Sequence, residues 1–301
     1  MKPYIYDLNM KKTALIFIIT IMVVSCSAEF AHNQFNLIFP WYIKRYIHLE
    51  EGQSRFLKRR IEYHHQWHRK NQLPEYIDHI DTVLALLHQL EDHTPIHKRP
   101  KVSEVFLKLN VIQYELHTLS QALTVQIAPD LTKLFLTASN FQLMEIYERF
   151  DKQNQQNTEA LENLTLGDLK RHQRDTLQSQ LKRWIGRLTT DQKHFLDDWE
   201  LQYIPTAHET GIYRTRWHLR FRDLMSLYKG KQLDISHDLI QLFATPDAGW
   251  HPELIENKRK NRDITTRLFA NITLSLTEKQ RYRVIRKLTH LKKTVAKLAA
   301  K

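Results

Sequence analysis

Apolar residues in this chain return every three or four positions, over stretches long enough to leave little room for strands. Leu57, Ile61 and His64 or His65 lead to Trp67 along one stretch. Ile77, Ile80, Val83, Leu84, Leu87 and Leu90 form a second, and Val105, Leu109, Ile112, Leu116 and Leu119 a third. Ile285, Leu288, Leu291, Val295 and Leu298 line the last. That spacing gathers them on one face of a helix, and no run alternates as a half-buried strand does. Six glycines and nine prolines in 301 residues are few for a sheet-rich protein. A 42% hydrophobic fraction with 10% aromatics argues for a packed core rather than disorder. The expectation is an all-α fold, a single multi-helix domain of long packed helices. Breaks are expected at Pro40, Leu73-Pro74, Asp92 to Pro100, Ala128-Pro129, Leu164 to Gly167, Gly186, Pro205, Gly230 and Thr245 to Pro252. The polar, proline-bearing segment 92–101 reads as a mobile loop.

The amino terminus follows a different logic. Lys2, Lys11 and Lys12 precede the uncharged run Thr13 to Val24. That run is too short for a membrane span, which takes about 20 residues, and fits the apolar centre of a secretory signal. Met10 opens a more compact signal than Met1, and either reads as a start. The run ends in Val23-Val24-Ser25-Cys26, and Cys26 is the only cysteine. A lone cysteine makes no internal disulfide and no paired-cysteine metal site. The four residues resemble the lipobox of bacterial lipoproteins. The resemblance implies a diacylglyceryl thioether on Cys26, cleavage after residue 25, and a lipidated, helical periplasmic domain over residues 26–301. An ordinary cleaved signal with a chance cysteine is the alternative. Ser27 after the cysteine, in place of Asp, resembles the sorting pattern of lipoproteins sent to the outer membrane. Several acyl chains on one residue would anchor it stably at the periplasmic face, as one chain would not.

Charge narrows the partners. The net charge is +12, from 45 Lys and Arg against 33 Asp and Glu. Such an excess favours anionic lipid, lipopolysaccharide phosphates or an acidic envelope protein. Nucleic acid is not expected to be met by an exported, tethered protein. No cofactor beyond the covalent lipid on Cys26 is expected.

A small motif recurs as Leu49 to Gln53 (LEEGQ), Leu188 to Gln192 (LTTDQ) and Leu276 to Gln280 (LTEKQ), and Ser139 to Gln142 (SNFQ) has a related form. A hydroxyl residue followed three positions later by Gln is a capping box. The echo resembles the LTxxQ motif of small periplasmic stress proteins and chaperones; ordinary helix starts are the plainer reading. The three LxxxQ copies are unequally spaced, which rules out a solenoid repeat.

Larger pieces carry a wider resemblance. They are FAHNQFNLIFPWYIKRYIHLEEGQ before Ser54, WHRKNQLPEY over Trp67 to Tyr76, WIGRLTTDQKHFLDDW over Trp184 to Trp199, and LTEKQRYRVIRKL over Leu276 to Leu288. Together they resemble a family of uncharacterised Gram-negative outer-membrane lipoproteins known as a domain of unknown function. That family usually places an acid before Leu-Pro where this chain has Gln72. The resemblance implies a helical fold and an envelope location, and no reaction, cofactor or catalytic residue.

Four places invite a site. His64 and His68 are four apart, the spacing of two ligands on one helix face, with His79, His88, His93 or His97 as further ligands; solvent-edge or core-edge histidines are the alternative. Trp67, His68 and Arg69 precede a helix start at Leu73-Pro74 and would line a groove or simply form a helix corner. Arg216, Arg220 and Arg222, with Arg214, Trp217 and Phe221, mix cations and aromatics as an anion site does, or else form a partly packed helix. The carboxy-terminal helix is basic from Lys279 to Lys301, with no acid. It would lie on an anionic membrane or, as we expect, dock on the body with its basic face in water. No nucleophile elbow or phosphate loop occurs. Asp197 and Asp198 are adjacent and diverge on a helix, so they form no acid–base pair. No catalytic set is recognised. The function expected is that of a non-enzymatic binding, scaffold or stress-related envelope factor. The alternatives are an envelope enzyme, metal-assisted through His64 and His68, and an LTxxQ-like chaperone.

Overall fold

A computed structural model describes residues 47–300, apart from 92–94, 96, 98 and 232. The lipobox residues Val23, Val24, Ser25 and Cys26, and most of the 92–98 loop, lie outside the described residues. Within them the chain forms ten helices and no strand. These are α1 (Glu51–Asn71), α2 (Leu73–His88), α3 (Val102–Leu136), α4 (Asn140–Glu162), α5 (Leu166–Ile185), α6 (Thr190–Gln202), α7 (Ala207–Lys231), α8 (Ser236–Ala244), α9 (Pro252–Leu274) and α10 (Glu278–Ala299). The all-α reading holds.

Most helix ends fall where local chemistry placed them. α1 stops just before Leu73-Pro74, and α5 stops at Gly186, whose φ of +88° suits glycine. A Cβ there would also meet the Arg283 guanidinium at 3.2 Å. One break is corrected: α3 runs straight through Pro129. A proline inside a helix removes one hydrogen bond and costs about 3 kcal/mol. Here Ala128, Thr132 and Leu134 are buried around it, and that burial holds the helix on both sides of the proline. Gly230 likewise lies inside α7, one residue before its end.

The helices partition into two compact units. The first takes residues up to Gln72, Thr118–Asn163 and Ala207–His251; the second takes Leu73–His117, Leu164–Thr206 and Pro252–Lys301. The segments alternate along the chain, so no single cut separates the units, and α3 contributes to both.

The first unit is built around α7. Phe221, Leu224 and Met225 are fully buried there with Leu239 and Phe243 of α8 and Leu143 and Ile146 of α4. Phe221 is ringed by aromatics: Phe135 stands edge-on at 5.0 Å, and Trp217 lies parallel at 6.0 Å. Such pairs add to the gain from burial alone. The Trp217 indole N–H donates to the carbonyl of Leu242, 3.0 Å away.

The second unit packs Leu177, Leu181 and Ile185 of α5 against Leu196 and Trp199 of α6 and Leu268 and Ile272 of α9. Trp199 Nε1 donates to Thr265 Oγ1 at 2.9 Å, and its ring stacks on Tyr203 at 4.8 Å. α10 packs along α2 and touches α5. The expectation that the basic carboxy-terminal helix docks is met: Leu291, Val295 and Leu298 are buried.

Candidate functional site

The capping boxes do more than start helices. Thr189 Oγ1 accepts from the Gln192 N–H at 3.3 Å, and Gln192 Oε1 accepts from the Thr189 N–H at 3.1 Å. Thr277 and Gln280 repeat this at 3.3 and 3.0 Å, and Ser139 and Gln142 at 3.2 and 2.8 Å. At α1 the Glu50 N–H donates to Gln53 Oε1 at 3.0 Å. These bonds are local and follow from the sequence.

The glutamine amides then reach across the fold and meet in pairs. In the second unit Gln192 Nε2 donates to Gln280 Oε1 at 2.9 Å, and Gln280 Nε2 donates back to Gln192 Oε1 at 3.0 Å. The remaining amide hydrogens go to the carbonyls of Ser275, at 3.1 Å, and Arg187, at 2.8 Å. In the first unit Gln53 and Gln142 exchange the same pair of bonds at 3.1 and 2.7 Å. Their outer hydrogens go to the carbonyls of Thr137, at 3.2 Å, and His48, at 2.5 Å. Each glutamine thus uses both donors and both acceptor directions. All four are buried, Gln192 completely.

His48, Gln53, Thr137 and Gln142 therefore correspond one by one to Arg187, Gln192, Ser275 and Gln280. Each member of the second set lies 138 or 139 residues beyond its counterpart. The chain builds one clasp twice. The three LxxxQ copies are unequally spaced, as the sequence says; a regular twofold offset appears once Ser139 to Gln142 is paired with Gln53.

The sequence-nominated histidines are placed as follows. His64 Nε2 lies 2.6 Å from Asp130 Oδ2, and Arg60 Nε donates to that same oxygen at 2.7 Å. A neutral ring with its proton on Nε2 donates to Asp130 and leaves Nδ1 as a buried acceptor without a hydrogen bond. Burial, with a smaller contribution from the charge of His65, lowers the His68 pKa from 6.5 to about 4. Among the described residues no group of three or more His, Cys, Asp or Glu gathers as a metal ion needs.

The nominated arginines part company. Arg222 turns inward, with Nη2 at 2.8 Å from the Tyr147 carbonyl and 2.7 Å from an Asp151 oxygen, and its guanidinium over the Tyr147 ring. Arg216 and Arg220 are exposed on another face of α7, Arg216 over the Tyr213 ring. Trp67, His68 and Arg69 sit half-buried on the last turns of α1, whereas the helices packed most closely on α7 are α4 and α8. Gln72 is almost completely buried and donates through Nε2 to the Leu119 carbonyl at 2.6 Å. An ionised carboxylate has no proton to donate there. Asp197 accepts from Arg174 Nε at 3.1 Å, and Arg174 reaches Glu200 at the same distance, which ties α5 to α6.

Sequence reasoning missed His218. Its ring lies flat on Phe150, with centroids 3.8 Å apart. Burial, then the charges of Arg214 and Arg222, lower its pKa from 6.5 to about 4, against the opposing pull of Asp151. Its place in the basic run Arg214 to Arg222 was the available signal.

The basic residues of α10 divide in two. Arg281 Nη1 donates to the Leu90 carbonyl at 2.7 Å, Lys292 pairs with Asp81 at 2.6 Å, and Lys287 Nζ donates to the Arg183 carbonyl at 2.6 Å. Lys279, Arg283, Arg286, His290, Lys293 and Lys297 are exposed.

Over residues 45–255 the chain matches a family of unknown function (DUF6279). No curated protein and no solved structure matches it.

Two outcomes follow from the buried polar groups. Gln192→Ala strips Gln280 of its partner and is expected to cost about 1–3 kcal/mol. With Gln280→Ala the losses fall short of their sum by about 0.5–3 kcal/mol, whereas Gln192→Ala and Gln53→Ala, which share no partner, add within about 0.5 kcal/mol. Urea denaturation of the three single variants and the two double variants checks this. For His218, burial favours the neutral ring in the folded state, so between pH 6.5 and about 4 the unfolded chain binds the proton more readily. Stability is intact above pH 6.5 and drains as pH falls through that interval. His218→Phe keeps an aromatic on Phe150 and is expected to make the fall of the denaturation midpoint across the same window shallower, the remaining fall coming in part from His68.

Proposed function

The chain belongs to that family of unknown function, and from this premise we propose that it is a lipid-anchored envelope protein whose helical body binds or scaffolds rather than catalyses. In this reading Val23, Val24 and Ser25 direct lipidation of Cys26. The acyl chains hold the body at the periplasmic face of the outer membrane. Among the described residues no helix is long and apolar enough to cross a membrane.

The observation that carries the binding role is the use made of the chemically capable side chains. His64 is tied to Asp130, Arg222 to Tyr147 and Asp151, Arg174 to Asp197 and Glu200, and the glutamines to one another. Groups held this way fix helices in place, which is the use a binding or scaffolding body makes of them. For the metal-assisted alternative through His64 and His68, no further His, Cys, Asp or Glu gathers with them into a group of three among the described residues.

A second reading is favoured by the clasps, which give physical content to the LTxxQ echo. In it the body is a periplasmic chaperone. On α3, Leu107, Val111 and Tyr114 stand exposed at successive turns and offer an apolar face to an unfolded client.

Two measurements test these readings. Radiolabelled palmitate is expected to enter the wild-type protein and not Cys26→Ala; equal labelling of both refutes the anchor. Light scattering of a denatured client during refolding tests the chaperone role. Suppression at substoichiometric protein, weakened by Leu107→Ser and Val111→Ser together, is the expected result of that second reading.

A further inference from the structure

α10 carries basic residues all around, and those on one side of it are held by neighbouring helices and loops. Arg281, Lys287 and Lys292 point back and bind the Leu90 carbonyl, the Arg183 carbonyl and Asp81. Lys279, Arg283, Arg286, His290, Lys293 and Lys297 are all exposed. Their spacing is 4, 3, 4, 3 and 4 residues, so they form one straight row along the water-facing side of the helix. At 1.5 Å per residue the row is about 27 Å long. No aspartate or glutamate occurs after Glu278. The Lys287 pKa is lowered by burial and then by the charges of Arg283, Arg183 and Arg286.

We infer that this outer row of α10 is a docking face for the phosphate groups of an anionic phospholipid leaflet. This rests on the lipid-anchor reading above for its opportunity, though not for its chemistry. A helix docked along its length presents its cations in a line, which matches a flat array of anions. The row holds no large aliphatic side chain, so the contact stays at the headgroups and does not insert. Tyr282, at 67% exposure beside the row, is the kind of residue that sits at a membrane–water boundary. The tether makes the encounter intramolecular. The chain between Cys26 and Ile47 spans at most about 75 Å, so the leaflet stays at high effective concentration around the row. Individually weak attractions of basic residues to an anionic surface add along such a row and are screened by salt.

The test uses the full-length protein on vesicles of phosphatidylcholine, with and without phosphatidylglycerol. Amine-reactive labelling of Lys279, Lys293 and Lys297 is followed by mass spectrometry, with exposed Lys58 and Lys152 as references. On anionic vesicles at low salt the three row lysines are expected to react on the order of three- to tenfold more slowly. The references are expected to be unchanged, and the protection to vanish at high salt. The variant Lys279→Gln/Arg286→Gln/Lys293→Gln/Lys297→Gln loses the protection, read at the flanking Tyr282 by iodination. The equally charged control Lys58→Gln/Arg59→Gln/Lys70→Gln/Lys152→Gln keeps it. Equal behaviour of the two variants, protection that ignores phosphatidylglycerol, or retention by a soluble polyanion without vesicle protection overturns the inference. Sedimentation separates it from the anchor reading. A protein that fails to pellet with pure phosphatidylcholine vesicles has lost the anchor, and salt-sensitive pelleting with anionic vesicles then reports the row by itself.

Discussion

The reciprocal glutamine pair is the interaction on which the rest of the fold depends. A helix start exposes backbone N–H groups that burial makes costly to leave unbonded. Each clasp satisfies two such starts at once, because each glutamine oxygen caps its own helix and also accepts from the opposite amide. The outer hydrogens then fix the turn before the partner helix, at Ser275 and Arg187 or at Thr137 and His48. A buried polar network of this kind is favourable only when complete, and here every position is filled in both units. The clasps therefore set which helix ends meet, and apolar packing around Phe221 in one unit and Trp199 in the other fills in behind them.

That economy shapes what is left for function. Two of the groups that sequence inspection nominates, His64 and Arg222, serve as struts, as do two it does not, Arg174 and Gln72. His64, Arg222, Arg174 and Gln72 each end on a specific oxygen some way along the chain. What the described residues turn outward is surface, including exposed apolar positions of α3 such as Leu107 and Val111 and the exposed cationic row of α10. Surfaces of this kind recognise shape and charge over an area, which is the basis for reading the body as a binding element.

Much of this was legible in advance. Helix periodicity, the stop at Leu73-Pro74, the turn at Gly186 and the capping boxes are all written within a few residues of where they act. Pro129 was misread as a break because local propensity was weighed without the buried Ala128, Thr132 and Leu134 that sustain α3 through it. The arginines of α7 were read as one group from their closeness in sequence, yet a helix sends Arg222 and Arg216 to different sides. His218 escaped notice because nothing in its neighbours reveals that Phe150 will lie flat against it.

The sequence by itself determined that the chain is helical, where most helices begin, and that its last helix is basic. It also carries the family match over residues 45–255. The first three of these depend on contacts or signals spanning a few residues. Tertiary structure alone decided that Gln53 finds Gln142 and Gln192 finds Gln280, and which cations of α10 are consumed in docking and which face water. The physical reason is separation. The clasp partners lie 89 and 88 residues apart, and a glutamine's local pattern is the same whether its amide ends in water or on another glutamine. The outward row of α10 likewise exists only because α2 and α5 claim the opposite side.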